Sequence, residues 1–301
     1  MASENVTHTP TRARRRREVG IAVGGEDATA GGVLGGLLHG LVELVRENAD
    51  WFARAHEEEA LHQLRISVRK TRALASFMDP LTRADPVVRG TNARLREIAA
   101  PFGEVRDLDV LIAALAEEGA PVVPADRAEL RESLEARRAE AAAAAEERLA
   151  SLDWEQELDV LAVAAEAGAW RKGPAAVEPA RYVVGHGLDA WWWSLCARWR
   201  GLAGLSDAKR HRVRIAAKKM RYLTELTAGL WDGSARREAA TAGFKAMQDH
   251  LGELQDYVAA VEVIRAHGFR AVGADPAAVT AAMARAVATR EKLEQAGPYW
   301  R

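Results

Sequence analysis

Two short segments of this chain carry basic side chains at helical spacing. They are LHQLRISVRKTRAL, from Leu61 to Leu74, and RHRVRIAAKKMRYL, from Arg210 to Leu223. On a helix that turns about 100° per residue, His62, Arg65, Arg69 and Arg72 fall within one stripe roughly 80° wide. His211, Arg214, Lys218 and Arg221 make the same stripe in the second segment, with Lys70 and Lys219 beside their stripes and Tyr222 at the edge. Guanidinium forks and ammonium groups bind phosphate oxygens through charge-assisted hydrogen bonds. An imidazole adds a donor, most strongly when protonated. A metal-dependent phosphohydrolase would want clustered carboxylates instead, and these stripes have the opposite sign.

A basic stripe on one helix is ordinarily a solvated face. Here the flanks argue otherwise. Leu61, Leu64, Val68 and Ala75 lie on one side of the first stripe, and Ile66, Ala73 and Phe77 on the other, with Leu74 and Met78 behind. Val213, Ala217 and Met220 flank the second stripe on one side, and Ile215 and Leu226 on the other. A helix apolar on nearly every side is buried, so its cations must face an interior groove. Within each stripe core no Asp or Glu stands at i+3 or i+4, Glu225 being the nearest exception. Crowding like charges in a groove is costly unless counter-charge arrives, and a polyanion would supply it.

The two segments are copies. His62 and His211 stand 149 residues apart, and that offset also joins Arg65 to Arg214, Arg69 to Lys218 and Arg72 to Arg221. Downstream it aligns FGEVRDLDV, from Phe102, with LGELQDYVA, from Leu251, and Arg96 with Lys245. One register held across so long a stretch marks an internal repeat. The third helices add Arg96, Arg106 and Lys245 as candidate cations, with Asp107 and Asp256 either orienting them or forming ordinary interhelical ion pairs.

The elements that position these residues follow from periodicity and from Gly and Pro punctuation. The pattern predicts helices near 33–55, 57–79, 86–118 and 125–149, then 178–203, 206–231, 235–266 and 274–296. Asp79-Pro80 reads as a separator, and residues 168–180 as the linker between repeat one (about 33–150) and repeat two (about 178–301). The expected fold class is all-α: two pseudo-symmetric four-helix bundles around a basic central channel. Residues 1–27, with Arg12 and Arg14 to Arg17, read as a flexible basic arm.

Composition sets the bounds. Hydrophobic residues make up 49% and charged residues 28%, as in a soluble globular chain. Forty-two basic against 43 acidic side chains leave a net charge of −1, so any anion site depends on arrangement. Cys196 is the only cysteine, which excludes an intramolecular disulfide and fits a reducing cytoplasm. No phosphate-binding glycine loop followed by Lys-Ser/Thr occurs, and the spacing of His39, His56 and His62 about Glu57 to Glu59 is not that of a zinc motif.

On H-x-x-R-x-x-x-R-K-x-R at His62 to Arg72, H-x-x-R-x-x-x-K-K-x-R-Y at His211 to Tyr222, GEVRDLD at Gly103 to Asp109, and the QD pairs at Asp249 and Asp256, the chain resembles the CHAD family, the conserved-histidine α-helical domains. The resemblance implies a non-enzymatic domain whose basic faces bind inorganic polyphosphate, without a cofactor and in some cases at polyphosphate granules. Pro101, Gln255 opposite Arg106, and Arg210 depart from the pattern and predict unequal halves. The alternative reading is nucleic-acid binding through the phosphate backbone, single-stranded or structured RNA or DNA. The stripes lack the interleaved aromatics that base stacking would want.

Overall fold

The computed structural model describes residues 28–301, apart from 89, 118, 119, 232, 234 and 274. The basic arm read at residues 1–27 lies outside the described residues. The fold is all-helical: among the described residues the extended contacts are two isolated bridges, Thr29 with Pro179 and Val122 with Ala271. The helices are α1 (Ala30–Ala55), α2 (Glu58–Thr82), α3 (Thr91–Ile98), α4 (Ala100–Ala114), α5 (Arg127–Leu149) and α6 (Leu152–Ala167). They continue with α7 (Pro174–Val177), α8 (Ala180–Arg198), α9 (Asp207–Leu226), α10 (Ala235–Ala266) and α11 (Pro276–Ala296). No helix among the described residues is long and apolar enough to cross a membrane.

Local chemistry sets the helix ends. The Thr29 hydroxyl accepts from the Gly32 N–H at the start of α1. Asp275 accepts from the Ala277 N–H ahead of α11, where Pro276 occupies the first turn and loses nothing by lacking a donor. α1 is buried on almost every side and packs against α2, α6, α7 and α8. α4 lies against α5 in the first half, and α9 and α11 flank α10 in the second. α2 and α9 pack against each other and join the halves. The 149-residue offset recurs in the helix starts, from Glu58 to Asp207 and from Arg127 to Pro276.

Four expectations are corrected. The helix near 86–118 is two, because the chain breaks at Ala99 (φ −93°, ψ 1°) ahead of Pro101, whereas α10 runs unbroken. Pro80 is not a separator: it lies inside α2, which continues to Thr82. The stretch before the linker holds α6, whose Trp154, Leu158, Leu161 and Ala165 recur at helical spacing and are buried. Beyond α6, Trp170 and Ala176 are also buried. Lastly, Ile215 is 42% exposed, so α9 is not apolar on every side.

Adjacent glycines of α1 give a paired test. A Cβ on Gly35 would lie 2.6 Å from the Ala165 carbonyl oxygen and collide with the Arg171 guanidinium, which donates to that carbonyl at 2.6 Å. A Cβ on Gly36, which is exposed, meets nothing within 4 Å. Alanine contributes up to about 1 kcal/mol of helix propensity over glycine, while forced overpacking costs about 1–3 kcal/mol. Gly35→Ala is therefore expected to lower the urea midpoint and Gly36→Ala to raise it, each with an unchanged slope.

Candidate anion-binding site

Ser67 and Thr71 lie on the buried side of α2, where their hydroxyls donate back to the Leu64 and Ser67 carbonyls at 2.8 and 2.9 Å. Their burial thus leaves no donor unmet. The opposite face presents the stripe. Arg65 is its anchor and only 6% exposed. Its Nη1 donates to the Phe102 and Gly103 carbonyls, at 3.1 and 2.5 Å, and its Nη2 to Asp107 at 2.9 Å. Burial, then the neighbouring Arg69, pulls its guanidinium below the ordinary arginine value, and Asp107 opposes this.

Arg72 is held differently. Its Nε donates to the Asn92 side-chain oxygen at 3.0 Å, Asn92 donates to the Ser76 hydroxyl at 2.9 Å, and Ser76 donates to the Arg72 carbonyl at 2.9 Å. That relay fixes the guanidinium and leaves its charge unpaired. Burial first, then Arg96 and Arg69, lowers its pKa. Arg65, Arg69, Arg72 and Arg96 line a cavity of about 700 Å³ between α2, α3 and α4, with Asn92 and Gly103. Glu97 is the carboxylate in that lining. Among the described residues, Arg69 and Arg96 make no ion pair.

The α9 stripe repeats this with looser contacts. Arg214 lies 3.8 Å from Asp256, against 2.9 Å for Arg65 and Asp107. A Cβ on Gly252 would stand 3.4 Å from the guanidinium, in ordinary contact with it. Arg214 Nε and His211 Nδ1 are buried without a hydrogen-bond partner, an arrangement that folding alone disfavours. Arg221 donates to Gln248 at 3.2 Å and pairs with Glu225 at 2.7 Å. Lys70 of α2 reaches the same carboxylate at 3.4 Å.

The two stripes meet around Tyr222 and Lys218. Tyr222 is buried, and its ring receives Lys70 and Lys218, each 5.9 Å from the centroid, and Arg221 at 4.9 Å. Lys218 is pushed down to about 7 by burial, then by Arg69, Arg214, Arg221 and Arg65. Cations from both helices thus raise the energy of its charged form. Asp256 is pushed up, by burial and then by Asp107, against the pull of Arg214 and Lys218.

The structure therefore brings together Arg65, Arg69, Arg72 and Arg96 with Arg214, Lys218, Arg221, Lys70 and Tyr222. It places other expected residues elsewhere. Arg106 reaches back to Glu58 at the start of α2, and Lys245 is exposed and held by Asp249 at 2.8 Å, one turn on. His62 is half-buried and does not line the cavity, whereas His211 keeps the buried, unpartnered Nδ1 of the α9 stripe. Lys219 turns outward over Trp191, 5.6 Å from the ring centroid. His39 and His56 face Glu166 and Glu146 separately, at 3.2 and 2.9 Å. The role of Arg65 as an anchor, and the Asn92–Ser76 relay, were not read from the sequence. The relay had no repeated partner to reveal it, and the Arg65 partners lie 37 to 42 residues along the chain.

Fold and site together define an all-helical domain in which two helices bearing basic stripes, α2 and α9, pack against each other. The family model for the CHAD domain matches residues 36–265, most of the chain, and the chain belongs to that family. The crystal structure of the CHAD domain from the plant Ricinus communis is similar at a TM-score of 0.68 and 23% sequence identity, covering 91% of this chain and 90% of that one. No curated protein matches the sequence.

Proposed function

We propose that this chain is a non-catalytic binding protein for inorganic polyphosphate, which lies against the α2 and α9 stripes in a basic channel flanked by two pseudo-symmetric helical repeats. The observation that carries this is the mutual crowding of cations from both stripes about Lys218 and Tyr222, with Arg69 and Arg72 unpaired by carboxylates beside them. Crowding of that kind opposes folding unless an anion offsets it. The buried, unpartnered Arg214 Nε and His211 Nδ1 support the same reading. So does membership of a family associated with polyphosphate binding. Cys196 offers no nucleophile, its thiol being raised to about 11 by burial and Glu294. The cytoplasm, at polyphosphate granules, is the proposed place of action.

The test is binding of labelled long-chain polyphosphate with single-stranded DNA, RNA and duplex DNA as competitors. Weak competition by the nucleic acids is expected, because the one aromatic ring among the stripe cations, that of Tyr222, is buried and offers bases no platform. Equal competition by any of them would overturn the reading in favour of general phosphate-backbone binding.

Binding should also be linked to pH. Free Lys218 sheds its proton near pH 7, and a bound phosphate restores the charged form. Above that pH, binding takes up a proton and affinity falls as pH rises, by up to about tenfold per unit. Proton uptake is read by titration calorimetry in buffers of different ionisation enthalpy. Lys218→Gln should remove it, and uptake unchanged in that variant would contradict the assignment.

A further inference from the structure

The cation path does not stop at Arg72. We propose that the groove between α8 and α9 is a second anion-binding stretch, over which a long polyphosphate chain continues after it leaves the α2–α9 site. This rests on the polyphosphate reading of that site. The groove has a volume of about 270 Å³, and Arg198, Arg212 and Lys219 line it over Trp191 and Ile215, with no carboxylate in the lining. The hydrogen bond of the Arg198 guanidinium goes to the Ser194 hydroxyl, at 3.3 Å. Among the described residues, none of the three cations makes an ion pair.

The groove is open because α6, which covers α1 in the first half, has no counterpart against α8 among the described residues. At the 149-residue offset Arg212 of α9 stands where α2 has Gln63, so the second repeat adds a cation to this face. With Arg198 and Lys219 beside it and no carboxylate in the lining, the opening presents uncompensated positive charge.

Two contacts join the groove to the main site. Trp191 meets Phe77 of α2 edge to face at 5.6 Å, so the groove floor abuts the helix that carries Arg72. Lys219 stands between the two sites and interacts electrostatically with Arg72 on one side and Arg198 on the other. A phosphate chain passing Arg72 meets Lys219 next, then Arg198 and Arg212. A short chain ends within the first site, so the groove would favour long chains.

The experiment compares long-chain polyphosphate with inorganic tripolyphosphate on the full chain and on the Arg198→Gln, Arg212→Gln double variant. Both arginines are exposed, so the fold is expected to tolerate the change. Long-chain affinity should fall about tenfold and its salt slope by about two, as counterion release predicts for two lost phosphate contacts. Tripolyphosphate affinity should not change. Long-chain affinity equal to that of the parent protein would assign the groove to another occupant, such as an acidic peptide, and overturn the proposal. Equal losses for both ligands would also overturn it, since the arginines would then act on the main site. A parent protein that binds neither ligand would refute the polyphosphate reading itself, and this inference with it.

Discussion

Replacing Arg69, Arg72 and Lys218 together by glutamine is expected to weaken polyphosphate binding about a thousandfold while the protein stays folded. A hydrogen bond to a charged group contributes about 1.5–3 kcal/mol. Three such bonds at the lower figure come to about 4.5 kcal/mol, a little over three powers of ten in Kd. The fold should tolerate the change because these cations contribute little to it. Arg69 is exposed and makes no ion pair among the described residues, and Arg72 loses a single hydrogen bond, to the neutral Asn92 amide. Lys218 loses a charge that its neighbours already disfavour. Binding is best read below pH 7, where Lys218 carries its proton, alongside circular dichroism and thermal unfolding. A variant that keeps its affinity within about tenfold would show that the crowded cations are not the contact surface.

Arg65 should behave in the opposite way. Arg65→Met is expected to cost about 3 kcal/mol of stability, because removing one partner of a buried pair leaves the others unmet. The Phe102 and Gly103 carbonyls and Asp107 all lose their donor. Asp107 is itself largely exposed, which keeps the expected loss at the lower end of the range for buried pairs. For a domain of this size that loss lowers Tm by roughly 5 °C. Arg214→Met, at the repeat-equivalent position, should cost about 1 kcal/mol or less, since its ion pair is longer and Arg214 itself is more exposed than Arg65. Thermal unfolding of the two variants side by side checks this. Equal losses would contradict the anchoring role of Arg65.

That asymmetry marks how far the sequence could be read. The stripes at His62 to Arg72 and His211 to Arg221 were legible because helical period and side-chain type repeat together at one offset. That cations of both stripes would crowd about Lys218 and Tyr222 follows from α2 packing on α9, which no local pattern encodes. Helix α6 was missed although Trp154, Leu158 and Leu161 stand at helical spacing, because it has no counterpart in the second repeat. The break at Ala99 was signalled by Pro101, yet whether a proline ends, kinks or merely begins a helix is settled by tertiary packing. Pro80 shows the reverse, tolerated near the end of α2. Arg106 and Lys245 carried the right charge at the right register, but Glu58 and Asp249 hold them elsewhere. Helical spacing assigns a side chain to a face; it does not say which carboxylate reaches it first.

The most direct measurement is a crystal structure of the protein grown with polyphosphate. Phosphate density between Arg69 and Arg72 of α2 and Lys218 of α9 is expected, with Arg65 still bonded to Phe102, Gly103 and Asp107. Density confined to the outer surface, with the α2–α9 seam empty, would contradict the site.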